Sequence, residues 1–146
     1  MNVADLTGYE HLKSIVRGEI DEPSIFETMG MSNLDVSEGI VKLTCRATDR
    51  HCNPMGGVHG GFAATVLDSV TGCAVHSLLE AGAAYGTVDL SVKMMRPVPK
   101  DQQLIAEARV THISRAIGIA EGTVMDQEGN LLASGSATCY IKRPRN

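Results

Sequence analysis

Tryptophan is absent from this 146-residue chain, and phenylalanine and tyrosine together make up only 3% of it. Aromatic platforms for stacking single-stranded nucleic acid are therefore excluded. A surplus of basic charge is also missing. Lys and Arg number 13 against 17 Asp and Glu, a net charge of −4, which argues against a general nucleic-acid binder but leaves room for a local basic patch beside a phosphorylated ligand. The four cysteines (Cys45, Cys52, Cys73, Cys139) show no CxxC spacing. They read as small core residues of a protein in a reduced cytoplasm. The start, MNVADLTGYEHLK, is too polar for a signal peptide, and no apolar run approaches membrane-spanning length.

What is present suits one domain over residues 1–146, with 1–38 as an N-terminal helix and connector. Residues 5–18 carry Leu6, Tyr9, Leu12, Ile15 and Val16 at helical spacing, with Gly18 as the stop. A connector follows, with room for a further helical turn. From Ile40 to Ala47 apolar and polar residues alternate, as in a half-buried strand. Residues 60 to about 81 predict one long, heavily buried helix ending at Gly82. In 86–96, Val88, Leu90, Val92 and Met94 alternate with Thr87, Asp89, Ser91 and Lys93. Further strands are expected near 104–110, 116–125 and 131–142. Together these predict a buried helix followed by a four-stranded antiparallel meander, with the earlier strand completing the sheet.

The chemistry concentrates in His51–Asp68, HCNPMGGVHGGFAATVLD. Gly60 and Gly61 open the long helix, where the first amides have no intrahelical partner and the dipole is positive. The Gly60 N–H is the candidate donor to a carbonyl oxygen developing negative charge, and Gly61 lets a ligand approach. Asp68 falls among Phe62, Val66, Leu67 and Val70, where burying a carboxylate is costly. It is the candidate base or nucleophile for a thioester, and both roles remain open. Asn53 offers an amide to place a carbonyl or water.

Gly60 and Asp68 are eight residues apart, roughly 12 Å along a helix. Reacting groups must each come within roughly 3–3.5 Å of one carbonyl. One helix cannot easily supply both, so the sequence predicts a homodimer with Gly60 from one subunit and Asp68 from the other.

These segments, with YGTVDLSVKMMRPV, resemble the hotdog-fold acyl-CoA thioesterases, specifically the phenylacetic-acid-degradation (PaaI-like) group of the 4-hydroxybenzoyl-CoA thioesterase superfamily. The resemblance covers nearly the whole chain. It implies an α+β hotdog fold, a long central helix wrapped by a five- to six-stranded antiparallel sheet, and dimers that pair into a dimer of dimers. It places Asp68 at the catalytic acid, Gly60 at the amide that polarises the thioester, Asn53 at the residue that orients carbonyl or water, and Thr87 at a water-holding hydroxyl. His59 orders the loop. Where some relatives carry Thr or Ser one turn after the acid, this chain has Gly72. Met94 and Met95 are candidate pocket lining, with Phe62 closing it. Arg96 and Arg115, with Lys142 and Arg143, are candidate cations for coenzyme A phosphates. Coenzyme A is then part of the substrate and no cofactor, metal, nucleic acid or membrane partner is implied.

Plainer readings stand beside these. Asp68 can be a capped structural carboxylate, the glycines turn residues, Thr87 a strand residue, and His76 an ordinary helix residue. His51, Cys52, His59 and Asp68 match no common zinc spacing, and Cys52 has no adjacent base. A hotdog dehydratase would use a His with an acid in another arrangement. A non-catalytic acyl-CoA binder, or a hydrolase of acyl carrier protein thioesters, would keep the fold.

Overall fold

The computed structural model describes residues 2–145. Helix α1 (Gly8–Val16) starts at a capping box, in which the Thr7 hydroxyl accepts from the Glu10 amide and the Glu10 carboxylate accepts from Thr7 N–H. It ends where Gly18 takes a φ of +73°. A short helix α2 (Ser24–Thr28) buries Phe26. The expected connector then yields a strand, β1 (Met31–Ser37), which the sequence hides. Its burial pattern is irregular because the register with β2 (Ile40–Cys45) shifts between Ser32 and Asp35.

Helix α3 (Gly60–His76) is followed by β3 (Ala84–Met94), β4 (Leu104–Ile113), β5 (Ile117–Met125) and β6 (Leu131–Lys142). The six strands form one antiparallel sheet in the order β1-β2-β4-β5-β6-β3. The expected four-stranded meander is thus corrected: β3 pairs with β6 rather than β4, and only β4-β5-β6 run as a meander. Pro97 and Pro99 follow β3 directly. The ladder breaks there, and the chain passes β6 and β5 to enter the sheet as β4, between β2 and β5.

The sheet wraps α3, the hotdog arrangement the resemblance implied. Phe62, Ala63, Val66, Leu67, Val70, Ala74 and Val75 of α3 are buried. Leu67 lies where Cβ atoms at Gly122 or Gly135 would come within 3.2 Å of its methyls, so two glycines make its socket. Full burial of such a side chain is worth about 2 kcal/mol. The helix is shorter than the predicted 60–81. It ends at His76 with Ser77 as C-cap, whose hydroxyl receives the Gly39 amide, and Gly82 serves a later turn with φ +83°.

His76 is more than an ordinary helix residue. Its Nε2 lies 3.0 Å from His11 Nδ1 of α1, and Gly8 packs so closely that a Cβ there would collide with the His76 carbonyl. Burial, then the neighbouring His11, holds the His76 imidazole down to about 4. The Tyr85 ring also packs on it, and His76 Nδ1 is buried without a hydrogen-bond partner among the described residues. An unfolded imidazole takes its proton near 6.5. Between these values the unfolded chain binds more protons than the fold, so stability falls as pH drops from about 6.5 to about 4. Allowing for partial exposure, we expect a loss on the order of 2 kcal/mol. Urea midpoints at pH 7 and 4.5 measure it, and His76→Gln should flatten the difference.

Candidate active site

The loop before α3 is built from its own side chains. Thr48 caps a 3-10 turn over Asp49–His51. His51 Nδ1 accepts from the Thr48 amide, so its Nε2–H donates to the Thr28 carbonyl at 2.8 Å and the tautomer is fixed. Asn53 Oδ1 accepts from Met55 N–H and Gly57 N–H at 3.0 and 3.2 Å. Two backbone donors fix that orientation, and the Asn53 Nδ2 group makes no hydrogen bond among the described residues. Gly56, at φ +86°, closes the tight turn.

His59 is the N-cap of α3. Its Nδ1 accepts from Gly61 N–H at 2.8 Å, and its carbonyl accepts from Phe62 N–H. Two of the first three helix amides are thereby committed, and the Gly60 N–H is left without a partner among the described residues. A pocket of about 290 Å³ opens at this point, lined by His59, Gly60, Met94, Met95, Arg96 and Leu132 among others. Met94 Sδ sits 3.1 Å from where a Cβ on Gly60 would be, so a side chain at 60 would fill the approach to the amide. A larger hollow of about 560 Å³ lies on the face of the sheet turned away from α3, lined by Lys93, Glu107, Arg109 and Glu121, far from these groups.

Asp68 lies two turns along α3. It is half-buried, and its Oδ1 is fully buried with no hydrogen-bond partner among the described residues. Buried carboxylate oxygens are normally hydrogen-bonded, so this one is free to accept from a water, a ligand or a second copy of the chain. Asp68 shares its surroundings with Cys73, Cys139 and Tyr85. Burial first, and then its negative charge, push the Cys73 thiol up to about 11. That thiol is a poor nucleophile at neutral pH.

Strict alternation would put Thr87 on the outer face of β3, opposite Leu90. A β-bulge at Val88 reverses this. Thr87 pairs with Cys139 while Asp89 pairs with the next residue, Thr138. Thr87 therefore shares the face of the buried Cys139, its hydroxyl 3.9 Å from that Sγ while still exposed in the single chain, and Val88, expected on the inner face, is 66% exposed. Bulges beside active sites commonly re-aim a side chain in this way. Tyr85, two residues earlier, is turned inward with it.

The family profile described as Thioesterase superfamily matches residues 55–133, from the glycine turn through α3 and into β6. The chain belongs to the thioesterase superfamily. It is 32% identical over 127 residues to a candidate esterase of Halobacterium salinarum, covering 82% of this chain and 83% of that protein. It is 28% identical over 109 residues to acyl-coenzyme A thioesterase 13 of Mus musculus, covering 73% and 77%. Among solved structures it is similar to a phenylacetic acid degradation-related protein of Ralstonia eutropha, a candidate thioesterase. The identity there is 31%, the TM-score 0.80, and the coverage 88% of this chain and 98% of that one.

Within this thioesterase, His59, Gly60, Met94, Met95 and Arg96 come together at one pocket, with Gly61 behind His59. Phe62 does not close that pocket. It is 2% exposed and packs on the His51 ring at 5.0 Å, which is where the helical turn after Gly61 directs it. Arg115 does not line that pocket within one chain. It sits in the β4–β5 turn, where its carbonyl accepts from Arg143 Nε, at the end of the fold near Glu80 and the α3 C-terminus. Arg143 is held there by Glu80 at 2.6 Å. Tyr85 was not singled out by the sequence. The available signal was its i, i+2 relation to Thr87, which puts both on one strand face.

Proposed function

We propose that this thioesterase hydrolyses acyl-CoA thioesters at sites shared between two copies of the chain. The observation that supports it most is the pairing, on one helix, of an uncommitted N-terminal amide at Gly60 with an unpartnered buried carboxylate at Asp68. The Gly60 N–H, aided by the helix dipole, receives the thioester carbonyl oxygen. Asp68 takes a proton from water, and the hydroxide forms a bond to the carbonyl carbon. The C–S bond then breaks, and the departing thiolate takes up that proton as the free acid forms. Thiolate is a good leaving group, so no strong general acid is needed. Asn53 Nδ2 and the Thr87 hydroxyl help place carbonyl and water.

The two groups stand roughly 12 Å apart along α3, so one chain does not serve one carbonyl with both. β3 supports a shared site. It is an 11-residue edge strand, exposed along most of its length, of the kind that natural proteins cover or pair. Its Met94 end lies over Gly60, and its Tyr85 end lies over Gly72, one turn past Asp68. Antiparallel pairing of β3 with its own copy brings one end against the other, and with it Gly60 of one chain toward Asp68 of the next. Arg96, which lines the pocket, is the cation we assign to a coenzyme A phosphate.

Thiol release from short-chain, medium-chain and aromatic acyl-CoAs, with an acyl carrier protein thioester alongside, tests the reading. We expect turnover of at least one acyl-CoA class. Binding of every acyl-CoA without thiol release would make the protein a non-catalytic binder, and turnover of the carrier-protein thioester alone would replace coenzyme A as the handle.

A further inference from the structure

Gly72 and Tyr85 occupy each other's space. Gly72 lies one helical turn after Asp68, on the face of α3 turned toward β3. A Cβ at 72 would lie 3.3 Å from Tyr85 Cε2 and 3.7 Å from its Oη. A side chain at 72 would crowd the ring, which would have to give by a few tenths of an ångström. The ring also packs on His76, one turn further along the same helix face, with centroids 5.1 Å apart and planes tilted by 30°. The inward turn of Tyr85 comes from the bulge that also re-aims Thr87.

This packing fixes where the hydroxyl goes. Side chains four residues apart on a helix have Cβ atoms about 5–6 Å apart, and each Cβ leans toward the helix N-terminus. Asp68 and Gly72 share one face of α3, so the Tyr85 hydroxyl, at van der Waals distance from the 72 position, stands about one helical turn from Asp68, near enough for that charge to act on the phenol. Burial, then Cys73, Cys139 and the Asp68 charge, all push the phenol's ionisation up, so it stays protonated and able to donate. Asp68 Oδ1 is buried with no hydrogen-bond partner among the described residues, whereas Tyr85, 36% exposed in the single chain, keeps its hydroxyl open to water. A water beside the carboxylate can thus meet the orphaned oxygen on one side and the phenol on the next turn of the same helix face.

We propose that the Tyr85 hydroxyl is the second anchor of the hydrolytic water, set by the Gly72–Tyr85 packing where a hydroxyl on the helix itself would otherwise stand. Asp68 accepts the water's proton while Tyr85 and Thr87 fix the direction of the oxygen. Tyr85 touches the water and leaves the thioester to Gly60. This rests on the assignment of Asp68 as the base.

Tyr85→Phe keeps the ring and removes only the hydroxyl. Its kcat for thiol release should fall about 10- to 100-fold with KM nearly unchanged, as for loss of one charge-assisted hydrogen bond. The melting temperature should stay within a few degrees. A second construction separates chemistry from packing. Tyr85→Ala should be slow, and Tyr85→Ala with Gly72→Ser should recover activity, because the vacated space admits a serine hydroxyl one turn after the acid. A Tyr85→Phe kcat within twofold of the unaltered protein overturns the proposal. So does a raised KM at constant kcat, which makes the ring a wall of the acyl pocket, or a double variant no faster than Tyr85→Ala. Asp68→Asn is assayed beside them. If it too retains activity, the fault lies in the assignment of the base, whereas an inactive Asp68→Asn with an unimpaired Tyr85→Phe faults the tyrosine alone.

Discussion

Asp68→Asn should abolish most of the thioesterase activity, lowering kcat by about 10³-fold or more while KM changes little. General-base assistance alone is worth roughly 10²–10⁴-fold, and an amide of the same shape can neither take a proton nor attack a carbonyl. The fold should tolerate the change. Asp68 makes no side-chain hydrogen bond to lose at Oδ1, and it is not part of an ion pair among the described residues. Removing a charge from a partly buried position offsets whatever the amide fails to satisfy. The expected result is a near-native melting curve with lost thiol release. A drop in kcat of less than tenfold would reassign Asp68 to a structural role. A collapse of the melting temperature would mean the orphaned oxygen has a structural partner in the assembled protein.

The long helix, the strands after it and the glycines at its start are legible in the sequence because each follows from local spacing. Leu104, Ala106 and Ala108 alternate, and they are buried in the structure. Asp68 stands out because it interrupts an apolar run. Three features are not legible for definable reasons. β1 lacks alternation because of its register shift, so no period-2 pattern marks it. The pairing of β3 with β6 depends on a chain crossing, which hydropathy does not encode. The bulge at Val88 reverses the face of everything before it, so alternation assigns Thr87 and Tyr85 to the wrong side. Here the resemblance names Thr87 where periodicity points it away, and the bulge reconciles the two. Phe62 fails differently. It neighbours the reactive glycines in sequence, but one residue along a helix is a rotation of about 100°, enough to carry it into the core.

Gly60→Pro should be a sharp probe of the oxyanion position, because it deletes the N–H and puts the ring carbon on that nitrogen where the carbonyl oxygen would bind. Position 60 is the first residue of α3, where proline is tolerated and its fixed φ suits the helix. His59 before it has φ −62° and ψ 138°, the extended conformation that a following proline requires. The added ring meets Met94, whose thioether is the flexible end of a long side chain. Loss of one oxyanion donor should lower kcat by about 10²–10³-fold. Gly60→Pro and Asp68→Asn then test the shared site together. If each site takes its amide from one chain and its carboxylate from the other, a heterodimer of the two variants holds one intact site and one carrying both lesions. Co-refolding equal amounts gives half heterodimers, so activity should recover to about a quarter of the unaltered protein's. If both groups came from the same chain, every site in the mixture would carry a lesion and no activity would return. Recovery near a quarter, from two variants that are each almost inactive, fixes which chain supplies each group.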